Sequence, residues 1–466
     1  MESASKLNRA LGLRYVIVVV IGNILGSGVY KKVAPMAAEL HSSAWVLVAW
    51  ILGGVITLLG ALSYAEVAGL LAETGGDFAY YKKIYNRFFA FLYGWSLFSV
   101  IQTAAISSLA YVFAQSLNSI LNFPALLAQY AGFSIGGVFY PLADFTVKLI
   151  AIVLIIFLTW VNAKGVKTGA DLSRIILNLV YFGLALIVIF GLTSSQAHLP
   201  QSFDWATTDS RQITVSALFT AMLSAFWAYQ GWVSVGFIGG EIKDANRMIP
   251  RGIFIGVSLV ILIYLLVNVT YLSLLPVENL AAIYKAGNQI AAVEAVKSFW
   301  GSFGGLFISV LIMVTTLGCT HNTILASARP YYAMATEGLF FKSVGKLNAA
   351  QVPINSLIFQ CVWACVLVLS GTFDQLTDMI IFAVFIYYGA TTLGVFILRR
   401  KMPTADRPYK VWGYPIVPAI FILFCIALFV NTVFARPREA MMGMTLMLAG
   451  VPLYFWFLRN EKIKEE

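Results

Sequence analysis

The sequence predicts an all-α polytopic membrane protein whose first and sixth transmembrane helices are interrupted in mid-membrane. Three observations lead to this prediction. Of the 466 residues, 60% are hydrophobic and only 11% are charged, and the mean hydropathy is +0.84. A water-soluble chain of this length could not bury so much apolar surface. The apolar residues also cluster into twelve long segments, and two of these segments contain glycine-bearing interruptions.

The twelve apolar segments are the predicted transmembrane helices. Most of them exceed the roughly 20 residues that a helix needs to cross about 30 Å of hydrocarbon. Their approximate bounds are 14–38, 44–72, 88–120, 143–162, 172–193, 213–239, 251–276, 302–332, 354–371, 375–398, 414–435 and 440–459.

No soluble domain is apparent, so a single transmembrane domain is expected over residues 1–466. Spans 1–5 and spans 6–10 each open with an interrupted helix, which is typical of transporters built from two inverted repeats. Repeat one would cover about residues 14–193, and repeat two about residues 213–398. The last two helices, about residues 414–459, would lie outside the repeat.

Lysine and arginine predict the orientation of the chain. If the N-terminus is cytoplasmic, 23 of the 31 basic residues fall on the inner side, so both termini are expected in the cytoplasm, as in a multi-pass protein of the plasma membrane. The basic residues are scattered over the inner loops rather than gathered on one face. The net charge of +10 therefore indicates contact with anionic lipid and no nucleic-acid partner.

The first interruption is the stretch Gly26-Ser27-Gly28. An unpaired backbone group in hydrocarbon costs several kcal/mol, so a helix is expected to break only where it lines a wet cavity or binds a ligand. The N–H groups that begin the second half-helix suit a carboxylate, and the carbonyls that end the first half suit an ammonium group or a cation. A zwitterionic amino acid carries both charges on one carbon. The alternative explanation for Gly-Ser-Gly is close helix packing.

The second interruption lies between Ala228 and Gly231. We expect its backbone to bind an amino group and the neighbouring Trp227 ring to cover the site as a gate. The alternative is an aromatic packing stripe that includes Trp227 and Trp232. Gln230 carries an amide to mid-depth of the membrane, where it needs polar partners, and is a candidate for the substrate pathway.

Other polar features receive simpler interpretations. Buried ionisable residues are expected to be sparse, and Glu66 and Asp77 are interpreted as gate or loop-locking charges in preference to proton carriers. Segment 73–87 is predicted to form a short amphipathic helix on the inner headgroups. Segment 277–301 is predicted to contain a helix around 289–299 that caps the outer mouth. The cysteines form no metal or redox spacing, and we predict no metal site and no cofactor.

At these residues the chain resembles the amino acid–polyamine–organocation superfamily and, within it, the prokaryotic relatives of the L-type amino acid transporters. The likeness covers essentially the whole chain. Its motifs are Gly22–Tyr30, Ser63–Glu66, Thr74–Tyr80, Phe226–Trp232, Glu241–Pro250, Ala326–Arg329 and Glu337–Leu339.

The resemblance implies a LeuT-like fold with a 5+5 inverted repeat and transport by alternating access. It also implies that Trp227 is the gating ring and that Tyr264 braces the first break, with Gln230 beside them. The substrate-binding residues that it implies are Ile24, Gly26, Ser27 and Gly28 for the carboxylate, and Trp227, Ala228 and Gly231 for the amino group and side chain.

The sequence departs from this family pattern in two places. Related transporters often carry a lysine in span 5 that bridges the first break to span 8, where sodium-coupled relatives hold a sodium ion. Here Val180 stands at that position, with Asn178 close by, and Thr315 and Cys319 face it from span 8. Either neutral hydrogen bonds replace the bridge or a cation binds. The outer loop 121–142 has no cysteine, so we expect no disulfide-linked glycoprotein subunit.

The sequence therefore predicts a plasma-membrane transporter of neutral L-amino acids, acting as an exchanger. Neutral substrates are expected because neither a carboxylate nor a basic side chain is apparent near either break. A sodium- or proton-coupled symporter of the same fold is the alternative. A membrane enzyme or receptor would need a catalytic cluster or a large binding loop, and neither is apparent. Asn23 and Gln230 favour small or polar substrates over large ones.

Overall fold

The computed structural model describes residues 11–71, 76–136, 139–164, 169–206, 213–287, 289–348 and 352–462. Within these residues the regular secondary structure is helical, apart from two isolated bridges, Leu11–Ile242 and Ile135–Phe139. The α-helices are α1 Leu13–Ile24, α2 Gly28–Lys31, α3 Val33–Leu40, α4 Ser43–Leu70, α5 Gly76–Ile84, α6 Arg87–Ser96, α7 Gln102–Leu121, α8 Phe145–Ala163, α9 Gly169–Thr193, α10 Val215–Tyr229, α11 Ala245–Leu274, α12 Val277–Ala286, α13 Ala291–Thr336, α14 Ile354–Ser370, α15 Phe373–Lys401, α16 Ile416–Ala435, α17 Pro437–Leu448 and α18 Gly450–Lys462.

Shorter elements join several of these helices. A π-helical turn, Leu97–Ile101, connects α6 to α7 without a gap, and a 3-10 segment, Trp232–Glu241, follows α10. Further 3-10 turns cover Ala128–Tyr130, Leu199–Phe203 and Lys342–Gly345.

Nine helices or continuous helical runs of the described chain are long and apolar enough to cross a membrane. Two shorter apolar helices, Leu13–Ile24 and Ile354–Ser370, accompany them. Large apolar side chains on the outward faces of α8 and α16 are strongly exposed, as Phe157 and Leu423 illustrate. Such faces suit lipid rather than water. The chain is a multi-pass membrane protein.

Small residues let the interrupted helices pack in the centre of the bundle. Gly252 and Gly256 of α11 lie against Val16 and Val20 of α1 so closely that added Cβ atoms would collide with the valines. Gly53 of α4 approaches Ala225 of α10 in the same way. Close approach at small residues is the usual basis of helix packing in membranes. α11 packs on both α1 and α4, α10 packs on α4, and the short helix α2 contacts α10, α11 and α13.

The two ends of the bundle are named here by the short helices that they carry. The α12 side contains α3, α12 and the start of α15, and the α5 side contains α5 and the ends of α4 and α15. On the α12 side, α12 is followed by α13, in which Gly301 has non-helical angles (φ 60°, ψ −147°) and separates residues 291–300 from the long remainder. The expected helix around 289–299 thus corresponds to this first part of α13.

The prediction for segment 73–87 was wrong in its placement. Residues 72–75 lie outside the described chain, and α5 covers most of the rest. Phe78, Tyr80 and Tyr81 are buried, so α5 packs into the protein instead of lying on headgroups. Its aromatic residues pack inward against α6, α15 and the segment Trp232–Glu241.

Candidate functional site

The first interruption separates α1 from α2. Leu25 leaves helical geometry (φ −70°, ψ 95°), and Gly26 and Ser27 connect it to Gly28, where α2 begins. Glycine and serine favour an interruption of the helix here because they are weak helix formers. Within the described chain, the backbone N–H groups of Ser27 and Gly28 donate no hydrogen bond. These donors stand at the start of a half-helix that continues, through Lys32 in helical geometry, into α3.

The second interruption separates α10 from the segment Trp232–Glu241. Gln230 is extended (φ −69°, ψ 149°), and Gly231 adopts φ 125°, which side chains other than glycine rarely tolerate. A Cβ atom at position 231 would also run into the carbonyl oxygen of Asn23. Glycine is therefore required at position 231 for two reasons: its backbone angle, and the close approach of the Asn23 carbonyl near the first break.

The two interruptions meet. A Cβ atom on Gly28 would lie 2.5 Å from the Cα of Ala228, so the start of α2 rests directly on the end of α10. The Tyr264 hydroxyl of α11 lies 3.0 Å from the carbonyl oxygen of Ile24 and 2.9 Å from that of Ala228. One phenol thus serves the carbonyl ends of both half-helices, and these two carbonyls must share its single proton.

Trp227 covers the meeting point. Its indole Nε1 donates to Ser27 Oγ at 3.3 Å, and both side chains are buried. The indole ring also packs edge-on against Phe373 at the start of α15, with ring centroids 6.1 Å apart. Trp227 therefore touches the first break on one edge and the α12 side on another.

The residues expected at the bridge between the first break and α13 divide into two groups. Cys319 Sγ lies 3.9 Å from the Leu25 carbonyl oxygen, and Thr315 Oγ1 lies 3.4 Å from the Tyr30 hydroxyl. Val180 is buried on α9, on the helix face whose neighbour Gly183 meets Leu311 of α13. Asn178, in contrast, is exposed on another face of α9. The expectation that Asn178 lies close to this position was wrong, because two residues along a helix turn a side chain by about 200°.

Gln230 lines a small cavity between α4, α10, α15 and α16. Thr57, Trp232 and Tyr388 contribute to its walls. The Gln230 Oε1 atom and the Tyr388 hydroxyl are both buried there without a hydrogen-bond partner among the described residues. This cavity can take a polar group with hydrogen atoms to donate to the amide oxygen.

The α12 side carries charged residues that the sequence analysis missed. Lys32 is fully buried, and its Nζ lies 2.7 Å from Asp374 Oδ1 and 2.6 Å from Thr377 Oγ1. Lys31 Nζ donates to Gln115 Oε1 at 2.6 Å and lies 4.7 Å from the centre of the Phe373 ring. The expectation that buried ionisable residues would be sparse was wrong. The sequence did contain a sign of this network, since two lysines follow the first helix break directly. Lysines inside a membrane protein require polar or charged partners.

The remaining charges on this side extend the network. Gln115 Nε2 donates to the Gly287 carbonyl at the end of α12 at 2.7 Å. Arg436 at the end of α16 pairs with Glu39 of α3 and lies 3.7 Å from Asp378. Polar contacts therefore join α2, α3, α7, α12, α15 and the end of α16 above Trp227.

The α5 side is held by a different set of contacts. Glu66 at the end of α4 accepts two hydrogen bonds from Arg399 of α15, at 2.8 and 2.7 Å, and one from the backbone N–H of Val411 at 2.6 Å. Bidentate arginine–carboxylate pairs of this kind are among the stronger polar contacts in proteins. The rest of this side is closed mainly by aromatic rings, including Tyr64, Trp232 and Tyr388.

Two interrupted helices that meet inside a membrane protein are typical of secondary transporters. The chain matches the family model described as amino acid permease over residues 11–458. It belongs to this family, within the amino acid–polyamine–organocation superfamily, and is an amino acid transporter rather than an enzyme.

Several characterised proteins are similar to the chain along nearly its whole length. It is 28% identical to the serine/threonine exchanger SteT of Bacillus subtilis (strain 168), over 96% of this chain and 97% of that protein. It is 27% identical to the large neutral amino acids transporter small subunit 2 of Mus musculus, over 96% of this chain and 81% of that protein. It is 25% identical to the b(0,+)-type amino acid transporter 1 of Mus musculus, over 97% of this chain and 89% of that protein.

Proposed function

We propose that the protein is an exchanger of neutral L-amino acids that works by alternating access in the plasma membrane, with both termini and the α5 side facing the cytoplasm. The observation that carries the proposal is the meeting of the two breaks at Gly28 and Ala228, with unsatisfied N–H donors on one side and Trp227 above. A LeuT-like arrangement of twelve helices is part of the proposal, with inverted repeats over about residues 14–193 and 213–398, followed by helices at about 414–459.

The substrate carboxylate is assigned to Ile24, Gly26, Ser27 and Gly28. Desolvating a carboxylate costs several kcal/mol, whereas a helix end returns only about 0.3–2 kcal/mol. Direct hydrogen bonds, at about 1.5–3 kcal/mol each to a charged group, must therefore supply the rest. The free N–H groups of Ser27 and Gly28 and the Ser27 hydroxyl are suitable donors. The amino group is assigned to the backbone between Ala228 and Gly231.

The charges near the site support neutral substrates. Lys31 and Lys32 lie on the α12 side, but Gln115 and Asp374 already hold their ammonium groups. Asp374 neutralises the charge of Lys32, and the ammonium group of Lys31, which keeps its charge, is already hydrogen-bonded inside the protein. The amide oxygen of Gln230, at the second break, is buried without a hydrogen-bond partner among the described residues, and it favours small or hydroxylated side chains. The exchange of serine and threonine named for the bacterial relative supports the same class.

Exchange is favoured over cation coupling by the contacts at the bridge position. Cys319 approaches Leu25, and Thr315 approaches Tyr30, so neutral groups link the first break to α13. Val180 adds no ligand atom. A bound sodium ion would want several oxygen ligands here, whereas Thr315 offers a single hydroxyl oxygen, which also donates to the Leu311 carbonyl at 2.7 Å, and Cys319 offers sulfur. We propose no cofactor and no disulfide-linked subunit.

Transport into proteoliposomes tests this proposal. Labelled serine should enter vesicles preloaded with unlabelled serine or threonine, and it should not accumulate in empty vesicles under a sodium or proton gradient. Uptake into empty vesicles that follows either gradient would establish a symporter instead. Ser27→Leu should abolish serine binding by filling the carboxylate position, and retained affinity would move the site elsewhere.

A further inference from the structure

Asp77, at the start of α5, is a buried carboxylate that forms no ion pair with a cation of the described residues. It is 3% exposed. Oδ2 accepts a hydrogen bond from the Tyr93 hydroxyl at 3.1 Å, and Oδ1 has no partner among the described residues. Within that part of the chain, no lysine, arginine or histidine forms an ion pair with it, in contrast to Glu66 on the same side, which Arg399 holds with two hydrogen bonds.

The titratable groups that face Asp77 are phenols from four helices. They are Tyr64 of α4, Tyr81 of α5, Tyr93 of α6 and Tyr388 of α15. Lys82, on the same helix as Asp77, pairs with Glu337 at 2.8 Å. The segment Trp232–Glu241 contributes backbone at Gly236, which lies against the Tyr64 and Tyr80 hydroxyls.

Phenols cannot replace a counter-ion at neutral pH. Burying an ionised carboxylate costs several kcal/mol, and one hydrogen bond from Tyr93 offsets only part of that cost, about 1.5–3 kcal/mol. Burial accordingly raises the pKa of Asp77 from 3.8 to about 7. The proton is the simplest ligand that makes this closed, cation-free environment stable.

The Asp77 cluster also holds the segment that must move if the α5 side opens. The Tyr64 hydroxyl donates to the Val233 carbonyl at 2.9 Å, and the Tyr80 hydroxyl lies 3.5 Å from the Gly236 carbonyl. The Trp232 ring, one residue beyond the second break, packs on Tyr64 and on Tyr388, with centroids 5.3 and 4.7 Å apart. Displacing this segment would uncover Asp77 to water.

We propose that Asp77 is a proton-binding site of the gate on the α5 side, protonated when that gate closes and ionised when it opens. The proton enters from and returns to the same side, so it controls opening without being carried across the membrane. This inference rests on the proposed alternating-access exchange and adds a dependence on the pH at the α5 side. It replaces the interpretation of Asp77 as a loop-locking charge.

The sign of the pH dependence follows from the two protonation states. In the closed state the pKa is about 7, and in the open, hydrated state it returns towards 3.8. Between these values opening releases one proton, so each unit of rising pH favours the open state about tenfold. Above pH 7 the carboxylate is ionised in both states, and the dependence ends. From pH 6 to pH 8 the open fraction should therefore rise about tenfold.

The first test measures serine exchange in proteoliposomes at symmetric pH 6, 7 and 8. Exchange by the wild-type protein should rise with pH and level off, whereas Asp77→Asn should be nearly independent of pH. Asp77→Glu, which keeps the titrating group, should retain a pH dependence. Glu337→Gln, which removes an exposed carboxylate on the same side, should behave like the wild type. An Asp77→Asn profile that matches the wild type would overturn the proposal.

A second readout does not depend on transport. The infrared difference spectrum of the wild-type protein between pH 6 and pH 8 should contain the C=O band of protonated carboxyl groups, and Asp77→Asn should lose the part of this band that Asp77 contributes. With a pH indicator inside the vesicles, substrate exchange should move no net proton. Proton flux that Asp77→Asn abolishes would make Asp77 a carrier and contradict the same-side return. A protein that exchanges no amino acid at all would instead refute the proposed function.

Discussion

On the α12 side, Lys32 lies fully buried 2.7 Å from Asp374, whereas on the α5 side the equally buried Asp77 has a single phenol as its partner. Both sides close over the same pair of broken helices. On one side Asp374 matches the charge of Lys32, whereas on the other side we propose that a buried carboxylate takes up a proton when the side closes. The difference indicates that the two gates respond to different variables: the α12 side to groups that compete for its ion pair, and the α5 side to pH.

The α5 side contains a second buried carboxylate, Glu66, with which Asp77 can be compared. Glu66 and Asp77 are both 3% exposed. Glu66 accepts from Arg399 and from the Val411 backbone, and it can stay ionised in place. Among the described residues, Asp77 accepts a hydrogen bond from the Tyr93 phenol and forms no ion pair with a cation. The two carboxylates are equally buried, so the lack of a compensating cation in this part of the chain is what distinguishes Asp77.

The largest expected effect is on the ion pair of the α12 side. Lys32→Met leaves Asp374 buried without its main partner, which should destabilise the protein by about 3–5 kcal/mol. The double variant Lys32→Met, Asp374→Leu removes both charges and should recover most of the loss. Thermal unfolding of the purified protein in detergent measures both variants. Lys297→Met, which breaks an exposed pair with Glu294, is the control and should change stability by less than about 1 kcal/mol.

The phenol shared by the two breaks is expected to have the next largest effect. Tyr264→Phe removes the hydroxyl that serves the Ile24 and Ala228 carbonyls, at a cost of about 1–3 kcal/mol. Serine binding should weaken by roughly tenfold, since each 1.4 kcal/mol is about tenfold in affinity. Tyr271→Phe on the same helix is a matched control, because its buried hydroxyl has no partner among the described residues. Equal effects of both variants would show that only packing is lost.

Trp227 connects the site to the α12 side, because it contacts both Ser27 at the first break and Phe373 at the start of α15. Trp227→Ala removes this cover but none of the backbone groups assigned to the substrate. Exchange should consequently fall several-fold more than equilibrium binding of serine. Measuring both on the same preparation separates the two effects. Equal losses would make Trp227 an ordinary contact rather than a gate.

Local rules predicted the positions of the two interruptions but not the contacts that surround them. Helical geometry is lost at Leu25, directly before Gly26-Ser27-Gly28, and at Gln230 and Gly231, within the stretches whose glycines predicted the interruptions. Lys32 and Asp374, by contrast, are 342 positions apart in sequence, and only the tertiary fold brings them together. The placement of α5 could not be predicted for the same reason. Its aromatic and basic residues have the pattern of a membrane-surface helix, but Tyr81 is buried against Tyr93 and Tyr387, which are distant in sequence.

The smallest expected effect concerns the bridge between the first break and α13, which belongs to neither side. Cys319 Sγ is 3.9 Å from the Leu25 carbonyl oxygen, and a thiol is a weak donor that contributes well under 1 kcal/mol. Cys319→Ala should therefore slow exchange by less than about twofold, close to the effect of Cys361→Ala on the distant α14. A large loss, particularly one that sodium reverses, would mean that this position binds a cation. A cation bound at the first break would then control transport in addition to the α12 side and the α5 side.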